Sequence, residues 1–138
     1  LSFVYTLICN DMVAALETVG LDPYVGFMHT LRPGRPSLAL DMMEELRAYL
    51  GDRLVLSLIN RNQISSKDFL HQGDEGIVMT DSGRKIILTA WQKRKKEQIT
   101  HPYLNEKISI GLLPYVQAML LARFIRRDLD DYPVFIIK

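Results

Sequence analysis

Hydrophobic residues in the first part of the chain recur at steps of three and four, which is the period of an α-helix. Residues 3–19 keep this spacing and end at Gly20, the residue type that most often terminates a helix. Residues 37–50 keep it again after Ser37, a favourable N-cap. The pattern predicts two amphipathic helices, joined by a proline-rich loop over residues 21–36.

The second predicted helix has two different faces. Its apolar face consists of Leu38, Ala39, Met42, Met43, Leu46, Tyr49 and Leu50. The opposite face carries Asp41, Glu44, Glu45 and Arg47. At about 100° per residue, Asp41 and Glu44 lie about 60° apart, one turn above the other. The pattern therefore directs both carboxylates toward solvent or a ligand.

The middle of the chain predicts one more helix and a hairpin. Residues 52–59 are apolar nearly all round, which is typical of a buried helix, with Asp52 as its cap. Residues 77–80 and 85–88 are short apolar runs on either side of a polar, Gly-containing tripeptide. This arrangement predicts a small β-hairpin.

The last part of the chain predicts two helices and an extended tail. One helix is expected over residues 89–99 with Thr89 as its cap, and another over residues 106–129, in which Pro114 is expected to cause a kink. The fold class is therefore mainly α, a multi-helix domain with one small β-hairpin, and residues 1–138 are expected to form a single domain.

Composition places the chain among ordinary globular proteins. Its 138 residues are 48% hydrophobic and 24% charged, which excludes a disordered chain. The apolar runs are much shorter than the roughly 20 residues of a membrane-spanning helix, so no membrane association is expected. A net charge of +1 does not by itself indicate a nucleic-acid partner. The lone Cys9 favours a reducing cytoplasm and a small buried side chain over a disulfide or a catalytic thiol.

Three residues combine the groups that metal-dependent phosphodiester chemistry requires. His29 offers an imidazole, and Asp41 and Glu44 offer hard carboxylate oxygens. An acidic helix face is often only solvated, and a loop histidine is often a packing residue. From the residues alone, a metal site and a solvated surface both remain open.

Two motifs carry a family resemblance, GFMH at residues 26–29 and RPGRPSLALDMMEE at residues 32–45. Further matches are GLDP at 20–23, DRLV at 52–55, INR at 59–61, WQKRK at 91–95 and HP at 101–102. Together they closely resemble the CRISPR adaptation integrase family, over nearly the whole chain. The pattern is most similar to that of subtype C of the type I systems.

The resemblance implies an enzyme that binds Mg²⁺ or Mn²⁺ through a glutamate, a histidine and a second carboxylate. His29 matches the histidine of the motif and Glu44 the second carboxylate, while Asp41 is an acidic neighbour that some members place near the ion. The first glutamate is expected upstream of Leu1, on a part of a longer protein that is absent here together with a β-rich N-terminal domain. The chain alone is therefore expected to be inactive.

The implied reaction inserts spacers into a CRISPR array, by attack of a DNA 3′-hydroxyl on a phosphodiester, with nonspecific endonuclease cleavage as a related activity. The implied partners are double-stranded and branched DNA, a second copy of the full-length protein and a smaller second adaptation protein. The implied compartment is the prokaryotic cytoplasm.

Basic residues are candidates for contacts with DNA. Arg47 follows Glu44 by three residues and either holds a phosphate or forms an ion pair with Glu44. The other candidates are Arg61 and the four consecutive cations Lys93, Arg94, Lys95 and Lys96. Trp91 is expected to pack rather than to stack on a base, and His101 to pack between elements.

Two rival hypotheses do without catalysis. In the first, the chain is a non-catalytic helical module that binds DNA or a partner subunit, and its carboxylates are a solvated face. In the second, it is a structural interaction domain without salt-dependent DNA binding. The hypotheses differ at His29, because a binding module tolerates its replacement by alanine and an enzyme does not.

Overall fold

The computed structural model describes residues 2–24, 37–71 and 77–136, and within these ranges most of the chain is helical. The described ranges contain five α-helices: α1 (Ser2–Thr18), α2 (Ser37–Met43), α3 (Arg53–Asn60), α4 (Asp81–Lys96) and α5 (Leu113–Ile125). A π-helical segment, Arg47–Asp52, joins α2 to α3, and short 3₁₀ turns occur at Ser66–Asp68 and Ile110–Leu112. No described helix combines the length and hydrophobicity needed to cross a bilayer.

Two small antiparallel sheets complete the described part of the fold. Strand β1 (Phe69–His71) pairs with β2 (Ile77–Met79), with Leu70 opposite Val78. Strand β3 (Gln98–Thr100) pairs with β4 (Lys107–Ser109), with Ile99 opposite Ile108. The predicted class, mainly helical with minor β structure, is confirmed.

Helix α1 is the centre of the core. Its buried residues Val4, Ile8, Met12 and Leu16 recur every four residues, and the helix packs against α2, α5 and the π-helical segment. The helix ends as expected at Gly20, whose φ of 86° lies in the left-handed region. The Leu21 N–H donates to the Leu16 carbonyl and the Gly20 N–H to the Glu17 carbonyl, which closes the helix with a Schellman motif.

The predicted helix over residues 37–50 is correct in its apolar face but not in its continuity. Leu38, Met42 and Leu46 are buried as expected. However, α2 ends at Met43, residues 44–46 form a turn, and a π-helix follows. The π-helical segment packs closely against α1 at Gly51, where a Cβ would lie 2.9 Å from the Tyr5 ring. π-Helical turns often occur at functional sites.

Helix α3 differs from the buried helix predicted for residues 52–59. Leu54 and Leu58 are buried, but Leu56 is 57% exposed and Ile59 is 49% exposed, so only one face of the helix packs. The Asp52 side chain does not cap the helix. Its carboxylate instead accepts a hydrogen bond of 2.5 Å from the Tyr5 hydroxyl of α1.

The predicted hairpin over residues 77–88 is wrong. The segment 77–79 is a strand, but its partner is β1, and residues 85–88 belong to α4. Thr80 caps α4, since its hydroxyl accepts a hydrogen bond of 3.0 Å from the Gly83 N–H. Gly83 is buried in the first turn, where a Cβ would lie 2.9 Å from the Asp68 Cβ. The tripeptide predicted as a hairpin turn is therefore a helix start.

The expected boundaries of the last two helices are also corrected. Thr89 lies inside α4 rather than at its start, and α4 ends at Lys96, because residues 98–100 pair with β4. Helix α5 begins at Leu113 instead of residue 106, which puts Pro114 in its first turn. Proline is well tolerated there because the N–H it lacks has no partner within the helix. No kink is needed.

The start of α4 gives a testable prediction about stability. Replacing Thr80 with alanine removes the cap and is expected to lower the free energy of unfolding by about 1 kcal/mol. Thr89→Ala is the matched control; because Thr89 is exposed inside the helix, we expect a change within about 0.5 kcal/mol. Urea denaturation measures both. A larger loss for Thr89→Ala than for Thr80→Ala would contradict this helix start.

Candidate functional site

Two carboxylates lie at the carboxyl end of α2. Asp41 is in the last turn of the helix and half-buried, and Glu44 is exposed in the turn that follows. The Glu44 Oε1 atom accepts a hydrogen bond of 2.7 Å from Arg47 Nη1. The Arg47 guanidinium also lies 4.2 Å from the centre of the Tyr5 ring. Of the two roles considered for Arg47, the ion pair with Glu44 is present, and α1 supports it through Tyr5.

The Glu44–Arg47 pair is open to exchange. Their side chains are 47% and 38% exposed, and exposed ion pairs contribute only about 0–1 kcal/mol to stability. A carboxylate held this weakly can accept a cation, and the guanidinium can then bind a phosphate with two hydrogen bonds. The end of α2 is therefore suited to a cation and a phosphate side by side.

His29 lies outside the described residues, and its assignment stays a prediction. The residues that flank its segment are in contact, because the Pro23 carbonyl accepts hydrogen bonds from the N–H groups of Leu38 (2.8 Å) and Ala39 (3.1 Å). Pro23, on one side of the segment, therefore lies beside the first turn of α2, the helix that carries Asp41.

The donor set of the described residues fits a hard divalent cation only in part. Asp41 and Glu44 supply the carboxylate oxygens that Mg²⁺ and Mn²⁺ prefer. Within the described ranges, no three His, Cys, Asp or Glu side chains converge to form a complete site. A complete metal site would need further ligands from residues outside these ranges, where His29 lies.

Glu45 does not share the exposed face predicted for it. Its carboxylate turns inward, and its pKa is raised by burial, an effect that its hydrogen bonds partly offset. The Tyr132 hydroxyl donates to Glu45 Oε2 at 2.6 Å, and the Phe135 N–H donates to Oε1 at 2.8 Å. Glu45 therefore ties the residue after Glu44 to the C-terminal segment.

The network continues from Glu45 into the core through Gln117 of α5. The Gln117 amide nitrogen lies 2.8 Å from Tyr132 Oη and 3.1 Å from Glu45 Oε1. Its oxygen lies 2.7 Å from His101 Nε2. Since His101 Nδ1 accepts from the N–H groups of Tyr103 and Leu104, Nε2 carries the proton and donates to Gln117. His101 is 1% exposed and packs between elements as predicted.

The buried phenol of this network gives a pH prediction. Burial, followed by the neighbouring Glu45 carboxylate, raises the pKa of Tyr132 above that of an ordinary tyrosine. The unfolded state therefore releases this proton near pH 10 while the folded state retains it, so stability is expected to fall as pH rises above about 10.

Near-ultraviolet absorbance during an alkaline titration tests this assignment. One tyrosine of the wild-type chain should ionise only when the chain unfolds, and this late component should be absent from Tyr132→Phe. Simultaneous ionisation of all tyrosines before unfolding would contradict it.

The candidate basic residues point in different directions. Arg61, Lys93 and Arg94 line a groove of about 850 Å³ between α3 and α4. Lys95 turns back to α1 and forms an ion pair of 3.1 Å with Asp11. Lys96 lies outside this groove and is exposed. The run of four cations is therefore not a single binding surface.

Several residues of these sites were not found from the sequence. Arg53 and Lys85 join the groove, and Gln117 and Tyr132 join the buried network. The four-residue spacing of polar side chains on α4 would have identified Lys85, once the helix was known to begin after Thr80. No local signal identifies Gln117. Trp91 packs as predicted, since it is 3% exposed.

Comparison with known families gives one match over most of the chain. The model of the family described as CRISPR associated protein Cas1 matches residues 1–93. A CRISPR-associated endonuclease Cas1 of Chlorobaculum tepidum is 60% identical over 136 residues, which cover 99% of this chain and 40% of that protein. One from Rhodospirillum rubrum is 57% identical over 133 residues, covering 96% of this chain and 39% of that protein. The chain thus spans about two fifths of these curated relatives.

Solved structures share the fold. A Cas1 protein from Thermotoga maritima, TM1797, superposes with a TM-score of 0.80 at 28% identity, covering 91% of this chain and 38% of that one. A casposase bound to integration product gives 0.86 at 23% identity, over 96% of this chain and 38% of that one. A partial Cas6-RT-Cas1–Cas2 complex gives 0.78 at 22% identity, over 99% and 41%. The last two similarities concern the fold alone.

Proposed function

Because this chain belongs to the CRISPR-associated protein Cas1 family, we propose that it is the helical part of a divalent-metal-dependent DNA endonuclease and integrase that inserts spacers into a CRISPR array. The observation that carries the proposal is the end of α2, where Asp41 and Glu44 lie next to an arginine in an exposed ion pair. Relatives named as CRISPR-associated endonucleases support it.

Asp41, Glu44 and His29 would hold Mg²⁺ or Mn²⁺, together with a glutamate from another part of the full-length protein. A bound divalent cation supplies electrophilic stabilisation of the charge that develops on a phosphate. In strand transfer, a DNA 3′-hydroxyl forms a new phosphodiester bond and the displaced 3′-oxygen leaves as a hydroxyl. Arg47 would hold a phosphate oxygen after exchanging its bond to Glu44.

The proposed partners follow from what the similar structures contain. The casposase is bound to integration product, which supports DNA as a substrate, and we propose its double-stranded and branched forms. The Cas6-RT-Cas1–Cas2 complex contains Cas2, which supports a second, smaller adaptation protein as a partner. We also propose that the full-length protein forms a homodimer and belongs to subtype C of the type I systems, as the sequence motifs imply.

Strand transfer by the full-length protein distinguishes the enzyme from a non-catalytic binding module. With Mn²⁺ and branched DNA, the enzyme hypothesis predicts that Glu44→Gln and His29→Ala lose strand transfer and keep DNA binding. A binding module predicts that neither substitution changes any measurable function.

A further inference from the structure

The groove between α3 and α4 is lined by more basic residues than the sequence indicated. Four of its cations are exposed and one, Arg94, is half-buried. They are Arg53, Arg61, Lys85, Lys93 and Arg94. Among the lining residues that the structure describes, Glu97 is the one carboxylate, and it is already bound to Arg94 at 2.7 Å. The groove therefore carries a clear excess of positive charge in a chain whose net charge is only +1.

The polar side chains of the groove form two facing rows. On each helix they recur every four residues, which keeps them on one face. One row is Arg53 and Ser57 on α3 with Arg61 as the residue that caps its carboxyl end, and the other is Lys85, Thr89 and Lys93 on α4. At about 1.5 Å per residue, the two cations of each row lie about 12 Å apart along the helix, with a hydroxyl between them. Both rows alternate charge and hydroxyl, and both kinds of side chain contact phosphate oxygens in protein–DNA complexes.

Most of this charge is not neutralised by neighbouring carboxylates. Arg61, Lys85 and Lys93 form no ion pair with any residue in the described ranges. Holding like charges on two packed helices without counter-ions is unfavourable, so an anionic ligand would relieve it. The hydroxyls of Ser57, Ser82 and Thr89 add hydrogen-bond donors of the kind that contact phosphate oxygens.

At one end of the groove, two arginines stack on the same aromatic ring. The guanidinium of Arg53 lies 4.9 Å from the centre of the Tyr49 ring and that of Arg94 lies 5.0 Å from it. Tyr49 belongs to the π-helical segment that follows Glu44. This end of the groove is therefore linked through the backbone to the carboxyl end of α2. Stacked guanidiniums are fixed in position, which lowers the entropy lost on binding a ligand.

We propose that this groove binds the phosphodiester backbone of a DNA strand and that Arg61, Lys85 and Lys93 are its principal contacts. The choice of DNA rests on the proposed function. The described lining residues include no aromatic side chain, so the groove offers no platform for bases and holds DNA independently of sequence. Lys95 and Lys96 lie outside it, although the sequence groups them with Lys93.

The test measures DNA affinity of the full-length protein by fluorescence anisotropy, in EDTA and over a series of NaCl concentrations. The probes are a fluorescein-labelled single strand of mixed sequence and its duplex. The groove variant is Arg61→Ala with Lys85→Ala. The matched control, Arg123→Ala with Lys107→Ala, removes the same two charges at exposed positions outside the groove.

We expect the groove variant to bind about tenfold more weakly than the control and to depend less on salt. Two lost contacts should reduce the slope of log affinity against log salt by roughly 1.4 for the single strand or roughly 1.8 for the duplex. The larger effect identifies which form the groove holds. Equal affinities and slopes for the two variants would overturn the proposal, since charge alone would then explain binding.

Failure of the proposed function can be distinguished from failure of the groove proposal. Binding is measured without metal, so strand transfer that survives Glu44→Gln would refute the proposed catalysis while a specific loss in the groove variant still supports the groove.

Discussion

Replacing Glu44 with glutamine in the full-length protein is expected to reduce Mn²⁺-dependent strand transfer by about a hundredfold or more. The amide keeps the size of the side chain and removes the charge that would hold a divalent cation. Losing several kcal/mol of stabilisation in the transition state has an effect of this size, because each 1.4 kcal/mol is about tenfold in rate. Strand transfer on branched DNA at saturating protein measures the change.

The control for Glu44 is Glu17→Gln, which removes an equivalent exposed carboxylate from α1. It should leave strand transfer within about twofold of the wild type, because surface substitutions away from a site rarely matter. DNA affinity should be unchanged in both variants. Arg47 should remain stacked on the Tyr5 ring when it loses its ion pair with Glu44. Equal activity of the two variants would exclude Glu44 from the reaction.

Replacing Gln117 with leucine is expected to lower the free energy of unfolding by about 3 kcal/mol. Leucine nearly fills the same volume, so the loss reports hydrogen bonds and not a cavity. It leaves the His101 Nε2–H without its acceptor and removes one donor each from Glu45 and Tyr132. A buried polar group without a partner costs about 1–3 kcal/mol.

Gln92→Leu is the matched control, since Gln92 is exposed on α4. Its expected effect is within about 0.5 kcal/mol. Urea denaturation of both variants provides the comparison. A Gln117→Leu variant as stable as the Gln92→Leu variant would show that the network contributes nothing to stability. Marginal stabilities of about 5–15 kcal/mol make a loss of 3 kcal/mol easy to detect.

The sequence predicted those elements whose signals are local. Helix α1 has a regular apolar face and a terminating glycine, and both bounds were correct to within one residue. The start of α4 was predicted wrongly because Asp81-Ser82-Gly83 suits both a hairpin turn and the first turn of a helix. The choice depends on Thr80 capping the Gly83 N–H and on Gly83 packing against Asp68, a contact between separate elements.

The candidate site likewise contains residues that local sequence patterns identified and residues whose contacts those patterns did not predict. Helical periodicity and a motif grouped Asp41 with Glu44, but they did not predict that α2 ends at Met43, between the two carboxylates. The inward orientation of Glu45 does not follow from local patterns either, because its partners Gln117 and Phe135 are 72 and 90 residues away along the chain. Local periodicity placed Glu45 on the polar face, and contacts with α5 and the C-terminal segment override that preference.

The most direct test of the central claim is calorimetric titration of the full-length protein with Mn²⁺. The claim is that the end of α2 holds a divalent cation through Asp41 and Glu44. It predicts one Mn²⁺ site in the wild type and in Glu17→Gln, and a loss of most of that affinity in Glu44→Gln with the fold intact by circular dichroism. Equal Mn²⁺ affinity in all three proteins would contradict it.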